Sequence, residues 1–169
     1  MTREEGSVMK SKTLINQMKC SFESRSANEA FARIAVAGFV TALDPTVEEL
    51  SDLKTAVSEA VTNSIVHGYP NQLGTVYIDA KIFQEENLED GAVNWVQIRV
   101  RDKGCGIPDV KQAMEPLYTT CTTGERSGLG FVIMESFMDK VKVTSKVGVG
   151  TTVVLLKKIH SKGKEQSDG

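Results

Sequence analysis

The stretch Ser58-Glu-Ala-Val-Thr-Asn63 decides how the rest of the chain is interpreted, because it places two polar side chains beside a predicted core. At about 100° per residue, the apolar positions of a helix predicted over 46–66 fall on one face. Glu59 and Asn63 lie one turn apart, at the border of that face. The pair can therefore reach a pocket beside the core. Taken alone, the pair is explained more simply as a surface acid and a helix-end amide.

A second segment, Asp102-Lys-Gly-Cys-Gly106, follows a strand predicted over 93–101. Asp102 has the same parity as Val96, Ile98 and Val100, so its carboxylate is predicted to point to the covered side of the sheet. There it can accept a hydrogen bond from the amino group of adenine. Gly104 and Gly106 allow close approach of the backbone and unusual dihedral angles. A plain strand-end turn is the alternative, since Asp and Gly are common there.

The third segment is glycine-rich and runs into a helix predicted over 128–138. The free amides and the dipole at a helix N-terminus bind phosphate, and an arginine adds a fork of donors. The threonine-rich loop before it is long enough to form a lid over a ligand. A capped helix after a surface loop is the alternative, and no Walker loop is present because Gly-Lys-Ser/Thr is missing. The residues predicted to contact a nucleotide here are Thr119, Thr120, Arg126, Ser127, Gly128, Leu129 and Gly130.

Together the three segments supply the groups that a magnesium-bound nucleotide triphosphate requires. Asn63 fits a single protein ligand for Mg²⁺, which takes its other ligands from phosphate oxygens. Glu59 fits a general base or a group that orients water. Asp102 is predicted to bind adenine. We therefore predict that the chain binds ATP and Mg²⁺.

Composition places the chain among ordinary globular proteins. It has 169 residues, 40% hydrophobic and 25% charged, so we expect one domain over 1–169 with 1–11 and 160–169 flexible. A net charge of -2 gives no reason to expect nucleic acid. No apolar run reaches the ~18 residues of a membrane span, and no signal-peptide core begins the chain, so we expect a cytoplasmic protein. The odd number of cysteines, Cys20, Cys105 and Cys121, argues against a disulfide framework and a structural zinc site.

The predicted order of elements indicates an α+β fold. Ser26 and Glu29 suggest a capping box for the first helix, and Asp44-Pro45 is predicted to end that helix and to begin the next. Separate blocks of helices and hairpins favour a two-layer α/β sandwich, with a mixed, mostly antiparallel sheet covered by helices on one face. The predicted strands are 13–22, 75–83, 93–101, 141–145 and 151–156, and the predicted helices are 27–43, 46–66, 108–114 and 128–138.

In this order, the motifs resemble those of the GHKL superfamily of ATP-binding domains, which adopt the Bergerat fold. Glu59 and Asn63 match its N-box, and Asp102-x-Gly-x-Gly106 and Gly128-x-Gly130 match its two glycine boxes. Gly150-Thr151-Thr152 matches its closing Gly-Thr, which assigns Thr151 to the nucleotide. From about Lys12 to Lys158 the chain is similar to the anti-sigma F factor family of spore-forming bacteria. The stretches that carry this similarity are SEAVTNSIVHGY, PLYTT and ERSGLGFVIMESFMD.

The resemblance implies a regulator that is also a protein-serine kinase. Members bind the sporulation sigma factor F as homodimers in the ATP state, without membrane or direct nucleic-acid contact. They also phosphorylate a serine of a small anti-anti-sigma factor, and the unphosphorylated form of that partner displaces the sigma factor. The resemblance implies that Glu59 is the catalytic base, that Asn63 is the magnesium ligand and that Arg33 lies on a partner-binding surface. A solvated helix arginine is the alternative for Arg33.

The lid departs from the family pattern. It reads Thr119-Thr-Cys-Thr-Thr-Gly-Glu-Arg126, without the Lys-Pro that the family carries after the paired threonines. One basic residue expected near the phosphates is therefore missing, whereas the glycine boxes are unchanged.

Three other functions remain open from the sequence. A stand-alone histidine-kinase-like ATP-binding module would transfer phosphate to histidine, but the chain has only His67 and His160 and no preceding helical hairpin. A fragment of a mechanical ATPase would require a further transducing domain. A non-catalytic nucleotide sensor would have no use for Glu59 as a base.

Overall fold

In the part of the chain that the structure describes, five antiparallel strands form one sheet. The structure is a computed structural model, and it describes residues 11–87, 89, 91–116 and 129–160. The order across the sheet is β1-β2-β3-β5-β4, and every neighbouring pair is antiparallel. The strands are β1 (Lys12–Glu23), β2 (Thr75–Asn87), β3 (Gly91–Asp102), β4 (Lys140–Lys146) and β5 (Gly150–Ile159).

Helices cover one face of this sheet. The two longer ones, α1 and α2, lie between β1 and β2 in the chain and pack against each other. A short 3₁₀ turn, Thr41–Leu43, follows α1, and a π-helical turn, Ser64–Gly68, extends α2. The helices are α1 (Asn28–Val40), α2 (Val47–Asn63), α3 (Val110–Ala113) and α4 (Gly130–Phe137).

The core lies between the helices and the alternate residues of the central strands. On β3, Val96, Ile98 and Val100 are completely buried, because successive side chains of a strand point to opposite faces. The face of α2 that meets them carries the predicted apolar stripe, including Leu53 and Val57. The other face of the sheet carries no helix within the described residues. As far as the described residues go, the sheet thus has one covered face and one open face.

The predicted α+β sandwich is confirmed, with differences at the ends of elements. The sheet is antiparallel throughout rather than mixed. β2 and β5 are longer than predicted, because their polar ends keep ladder partners on β3. The predicted helix over 128–138 begins at Gly130, and Gly128 lies outside the described residues. The segments predicted to be flexible, 1–11 and 160–169, also lie outside them, except for Ser11 and His160.

The capping box predicted for the first helix is wrong. A turn precedes α1, in which Asn28 N–H donates to Arg25 C=O over 2.9 Å, and no side chain caps the helix. The carboxylate of Glu29 instead accepts a hydrogen bond from the Ser58 hydroxyl on α2. This tertiary contact competes with the local cap for the same oxygen atoms.

A complete capping box occurs at α2. The Thr46 hydroxyl accepts the Glu49 N–H over 3.1 Å, and the Glu49 carboxylate accepts the Thr46 N–H over 3.0 Å. Thr46 is therefore the N-cap, and Pro45 precedes the helix rather than lying in its first turn as predicted. Each good cap of this kind stabilises a helix by about 1 kcal/mol.

Glu49 also joins the end of the sheet to α2. Its second carboxylate oxygen accepts the His160 N–H over 2.8 Å and lies 3.2 Å from His160 Nδ1. Burial alone raises the pKa of Glu49, but hydrogen bonds from Thr46 and His160 outweigh burial and lower that pKa below its ordinary value. A folded-state pKa below the unfolded one means that Glu49 stabilises the fold at neutral pH, and that this contribution is lost as pH falls through the lowered pKa.

We predict that Glu49→Gln lowers the free energy of unfolding by about 1–2 kcal/mol at pH 7, because the amide weakens two charge-assisted hydrogen bonds. The difference from wild type should shrink as the pH falls through the pKa of Glu49. Urea unfolding at several pH values measures both effects. Glu48→Gln is the matched control, since Glu48 is exposed in the same turn, and it should cost less than about 0.5 kcal/mol. An equal loss in both variants, or a loss independent of pH, would contradict this role of Glu49.

Candidate functional site

The predicted pair on α2 meets the start of α4. Glu59 and Asn63 are half-buried, and both face Gly130, the first residue of α4. A methyl group added at Gly130 would lie 3.2 Å from Glu59 Oε2 and 3.4 Å from Asn63 Nδ2, with Asn63 Oδ1 at 3.5 Å. A carboxylate, a carboxamide and a helix N-terminus therefore converge around one small space.

At the N-terminus of α4, no side-chain cap occurs among the described residues. Leu129 occupies the N-cap position, and it makes no side-chain cap hydrogen bond. The first amides of a helix have no partner within the helix, so they can donate to an anion. Within the described residues, this end of α4 has the donors that a phosphate group requires.

Asp102 is buried at the end of β3, with 4% of its surface exposed. Its Oδ1 accepts two backbone hydrogen bonds, from Gly104 N–H over 2.9 Å and from Thr151 N–H over 3.2 Å. Its Oδ2 accepts none from the described residues. Among those residues, only Trp95 Nε1 is a fully enclosed side-chain polar atom without a partner, so Oδ2 still meets accessible space. Asp102 is thus fixed through one oxygen, and the other has no hydrogen-bond donor among the described residues.

Glycines permit the backbone to close around Asp102. A methyl group added at Gly104 would lie only 2.1 Å from Gly68 C=O, which no side chain can tolerate. Gly106 has a φ of +76°, a conformation that favours glycine. The first glycine box therefore holds β3 against the π-helical turn. Because that turn begins directly after Asn63 and ends at Gly68, it connects the two halves of the site.

Thr151, which the closing Gly-Thr assigns to the nucleotide, joins the last hairpin to Asp102 through its backbone N–H. Its hydroxyl lies 2.8 Å from the hydroxyl of Ser145, which also accepts the Ile107 N–H over 2.7 Å. Ser145 thereby ties the start of β5 to the glycine loop. The sequence analysis did not identify Ser145, because its role depends on the pairing of β4 with β5.

Tyr69 is a second residue that the sequence analysis missed. Its hydroxyl accepts the Lys103 N–H over 2.7 Å and donates to Thr75 C=O over 2.8 Å. Burial, and then the nearby charge of Asp102, raise the pKa of Tyr69, despite the hydrogen bond from Lys103. The neutral phenol therefore braces the residue next to Asp102. Its position directly after Gly68 is the sequence feature that could have identified Tyr69 as part of the site.

A groove runs between α1 and α2 and ends at Glu59. Its volume is about 630 Å³. Arg33 lies on its α1 side, with Nη1 3.9 Å from Glu29 Oε1, and the side chain is 41% exposed. Arg33 thus belongs to a surface that is continuous with the candidate base. The groove is lined by Arg33, Ile34, Ala37, Gly38, Thr41, Ser51, Lys54, Thr55, Ser58 and Glu59.

The lid and part of the second glycine box cannot be placed relative to this site. Thr119, Thr120, Arg126, Ser127 and Gly128 lie outside the described residues. Described residues that the structure does bring together are Glu59, Asn63, Leu129 and Gly130 at one end, and Asp102, Gly104, Gly106 and Thr151 at the other.

The oxygen donors present suit magnesium bound together with a nucleotide. No cluster of three or more His, Cys, Asp or Glu side chains occurs in the described ranges. An ion held at Asn63 would therefore take most of its ligands from phosphate oxygens and water, which is the usual arrangement for Mg²⁺. Likewise, the described helices include none that is both long and apolar enough to cross a bilayer.

Comparison with known proteins agrees with this geometry. A family described as histidine kinase-like ATPase domain matches residues 22–157. The chain is 53% identical over 146 residues to an anti-sigma F factor of Clostridium beijerinckii, covering 86% of this chain and 96% of that one. It is also 52% identical to an anti-sigma F factor of Geobacillus kaustophilus, and this match covers 85% of this chain and 93% of that one.

A solved structure supports the fold alone. The chain is similar to a crystal structure of RsbU and RsbW domains from Mycobacterium tuberculosis, with a TM-score of 0.56 and 17% identity. The similarity covers 87% of this chain and 33% of that one. Because the match to the curated relatives extends over nearly their whole length, the family is assigned from sequence. The chain belongs to the anti-sigma F factor family, within the histidine kinase-like ATPase domains.

Proposed function

We propose that this protein is an anti-sigma factor that binds and inhibits the sporulation sigma factor F in its ATP state. The same protein also acts as a serine kinase, which uses ATP and Mg²⁺ to phosphorylate, and so inactivate, an anti-anti-sigma factor. Its relatives carry the name anti-sigma F factor. The proposal includes a homodimer that acts in the cytoplasm.

The observation that carries the kinase proposal is the meeting of Glu59, Asn63 and Gly130. A carboxylate oxygen and a carboxamide approach the same point at the N-terminus of α4, within 3.2–3.5 Å of an added methyl group. A pure binding site would require donors for the phosphates but no carboxylate beside them. An acid next to a phosphate site is repelled by the ligand, so the presence of Glu59 there favours a role in the reaction.

In the proposed reaction, Glu59 accepts the proton of the partner's serine hydroxyl. The serine oxygen attacks the γ-phosphorus of ATP, and the bond from that phosphorus to the β–γ bridging oxygen breaks, which releases ADP. The amides of α4 stabilise the charge on the phosphate oxygens, and Asp102 orients the nucleotide through its adenine amino group. Mg²⁺, held by Asn63, would neutralise charge on the phosphates. The lid residues Thr119, Thr120, Arg126, Ser127 and Gly128 are proposed to add further phosphate contacts.

The groove between α1 and α2 is the proposed route of the partner to Glu59. Its lining includes both Arg33 on α1 and the candidate base on α2. Arg33 lies at its edge and is exposed enough to contact a protein partner. A serine on a loop that enters this groove reaches Glu59 without unfolding of either protein.

The direct test is phosphotransfer from γ-labelled ATP to a candidate anti-anti-sigma protein, followed by analysis of the labelled residue. Acid-stable phosphoserine on the partner supports the proposal. Acid-labile phosphohistidine would instead favour the alternative of a histidine-kinase-like ATP-binding module. Release of free phosphate without a labelled protein would contradict both kinase functions.

We predict that Glu59→Gln keeps ATP affinity within about threefold of wild type but lowers the phosphotransfer rate by about 10²–10⁴-fold, because the amide cannot accept a proton. Fluorescent-nucleotide titration and single-turnover phosphotransfer measure the two quantities. Glu135→Gln is the control, since Glu135 is an exposed acid on α4. Parallel losses of binding and rate in the Glu59 variant would show that Glu59 is not the base.

We predict that Asp102→Asn weakens ATP binding by about 10–100-fold, because a charged acceptor for the adenine amine is replaced. The carboxamide can keep its oxygen toward Gly104 and Thr151, so its NH₂ group takes the place of Oδ2. That NH₂ donor suits a purine such as that of ITP, which has a carbonyl in place of the adenine amino group. The preference for ATP over ITP should therefore fall. Unchanged ATP affinity, or an equal loss for both nucleotides, would remove the adenine assignment.

A further inference from the structure

The open face of the sheet carries a concentration of basic side chains. By strand register, one row across the sheet contains Lys19, Asp79, Arg99, Val154 and Lys142. The adjacent row repeats the pattern with Gln17, Lys81, Gln97, Leu156 and Lys140. We call these residues, together with Tyr77 and Arg101 of the next row, the basic face. Asp79 is its one acid, although the whole chain has a net charge of -2.

The cations of this basic face form no ion pairs within the described residues. The ion pairs found there involve Glu23, Glu29, Asp52 and Glu49, and none includes a residue of the basic face. Arg99, Lys142 and Lys19 are exposed. Lys81 lies diagonally opposite Lys19 and Arg99 on the neighbouring strands, and the repulsion among these cations is relieved when an anion binds.

Part of the basic face is already fixed in position. The Arg101 guanidinium lies 4.7 Å from the centroid of the Tyr77 ring, and Lys103 Nζ lies 5.3 Å from the same centroid. Cation–π contacts of this kind hold long side chains in place. A partner therefore has to immobilise fewer side chains when it binds here.

The remaining side chains favour a polypeptide over a nucleic acid. Val154 and Leu156 form a partly exposed apolar strip between the cations of β3 and those of β4. A continuous phosphate backbone would meet this strip and the carboxylate of Asp79, and a long polyanion would also meet the acidic remainder of the molecule. A short acidic segment with interspersed apolar residues fits both features. At about 4.8 Å between strands, about six extended residues cross the sheet.

A second copy of the chain is a poor occupant for the basic face. Two such faces brought together would oppose Arg99, Lys81 and their neighbours with the same charges. Their like charges would have to be desolvated without partners, which is costly.

We propose that the basic face binds an acidic segment of a partner protein, with the carboxylates of that segment paired to Arg99, Lys142 and Lys19. This surface lies on the opposite side of the sheet from α1 and α2. The proposal is therefore independent of the nucleotide site and of the groove beside Glu59.

The test uses fluorescein-labelled poly-L-glutamate as the probe, in about 0.15 M salt, where nonspecific attraction is largely screened. Fluorescence anisotropy measures its affinity for the full-length wild type, Arg99→Glu and Lys111→Glu. Lys111 is exposed on α3, outside the basic face, and its substitution changes the net charge by the same amount. We expect Arg99→Glu to weaken binding by at least about tenfold and Lys111→Glu by less than about twofold.

Two further measurements make the result decisive. Arg99→Ala should give an intermediate loss, and it serves as the test if the charge reversal does not fold. ATP affinity should be unchanged in every variant. Equal losses at Arg99 and Lys111, no binding by wild type, or tighter binding of a duplex DNA of matched charge would each overturn the proposal. So would a change in oligomeric state, measured by sedimentation, that accounts for the loss.

Discussion

The buried carboxylate of Asp102 is the constraint on which the site depends. A charged group with 4% exposure is stable only when hydrogen bonds replace its lost water, and backbone amides from two separate segments do so. One of these amides belongs to the glycine loop after β3 and the other to the start of β5. The carboxylate therefore holds together strands that are far apart in the chain. The same contacts leave the second oxygen without a donor in the described part of the chain.

The two ends of the site are coupled through α2 and the π-helical turn after it. Asn63 ends the helix near the phosphate-binding end, and Gly68 ends the turn against Asp102. A π-turn inserts a residue into the helical repeat and is common at functional sites. Here it brings the backbone of Gly68 close to Gly104, so one continuous segment joins the two ends of the proposed nucleotide site. Tyr69, directly after the turn, braces the same loop.

Much of the fold could be predicted from sequence because local patterns and tertiary structure agree. Alternation in β3 placed Asp102 on the covered side, and the apolar stripe of α2 placed Glu59 and Asn63 at its border. The capping box of the first helix fails because a tertiary contact competes with a local signal. Ser26 and Glu29 form the same motif as Thr46 and Glu49, but Ser58 on a different helix takes the carboxylate of Glu29. The basic face required strand register, since Lys19, Arg99 and Lys142 are remote in sequence.

The central claim is that three separate segments surround one magnesium-bound triphosphate. It is tested most directly by a crystal structure with Mg²⁺ and a non-hydrolysable ATP analogue. We predict that the adenine amino group lies within hydrogen-bonding distance of Asp102 Oδ2, and that the phosphates lie at the N-terminus of α4, between Glu59 and Asn63. A nucleotide bound elsewhere, or one that contacts only one of these segments, would contradict the account.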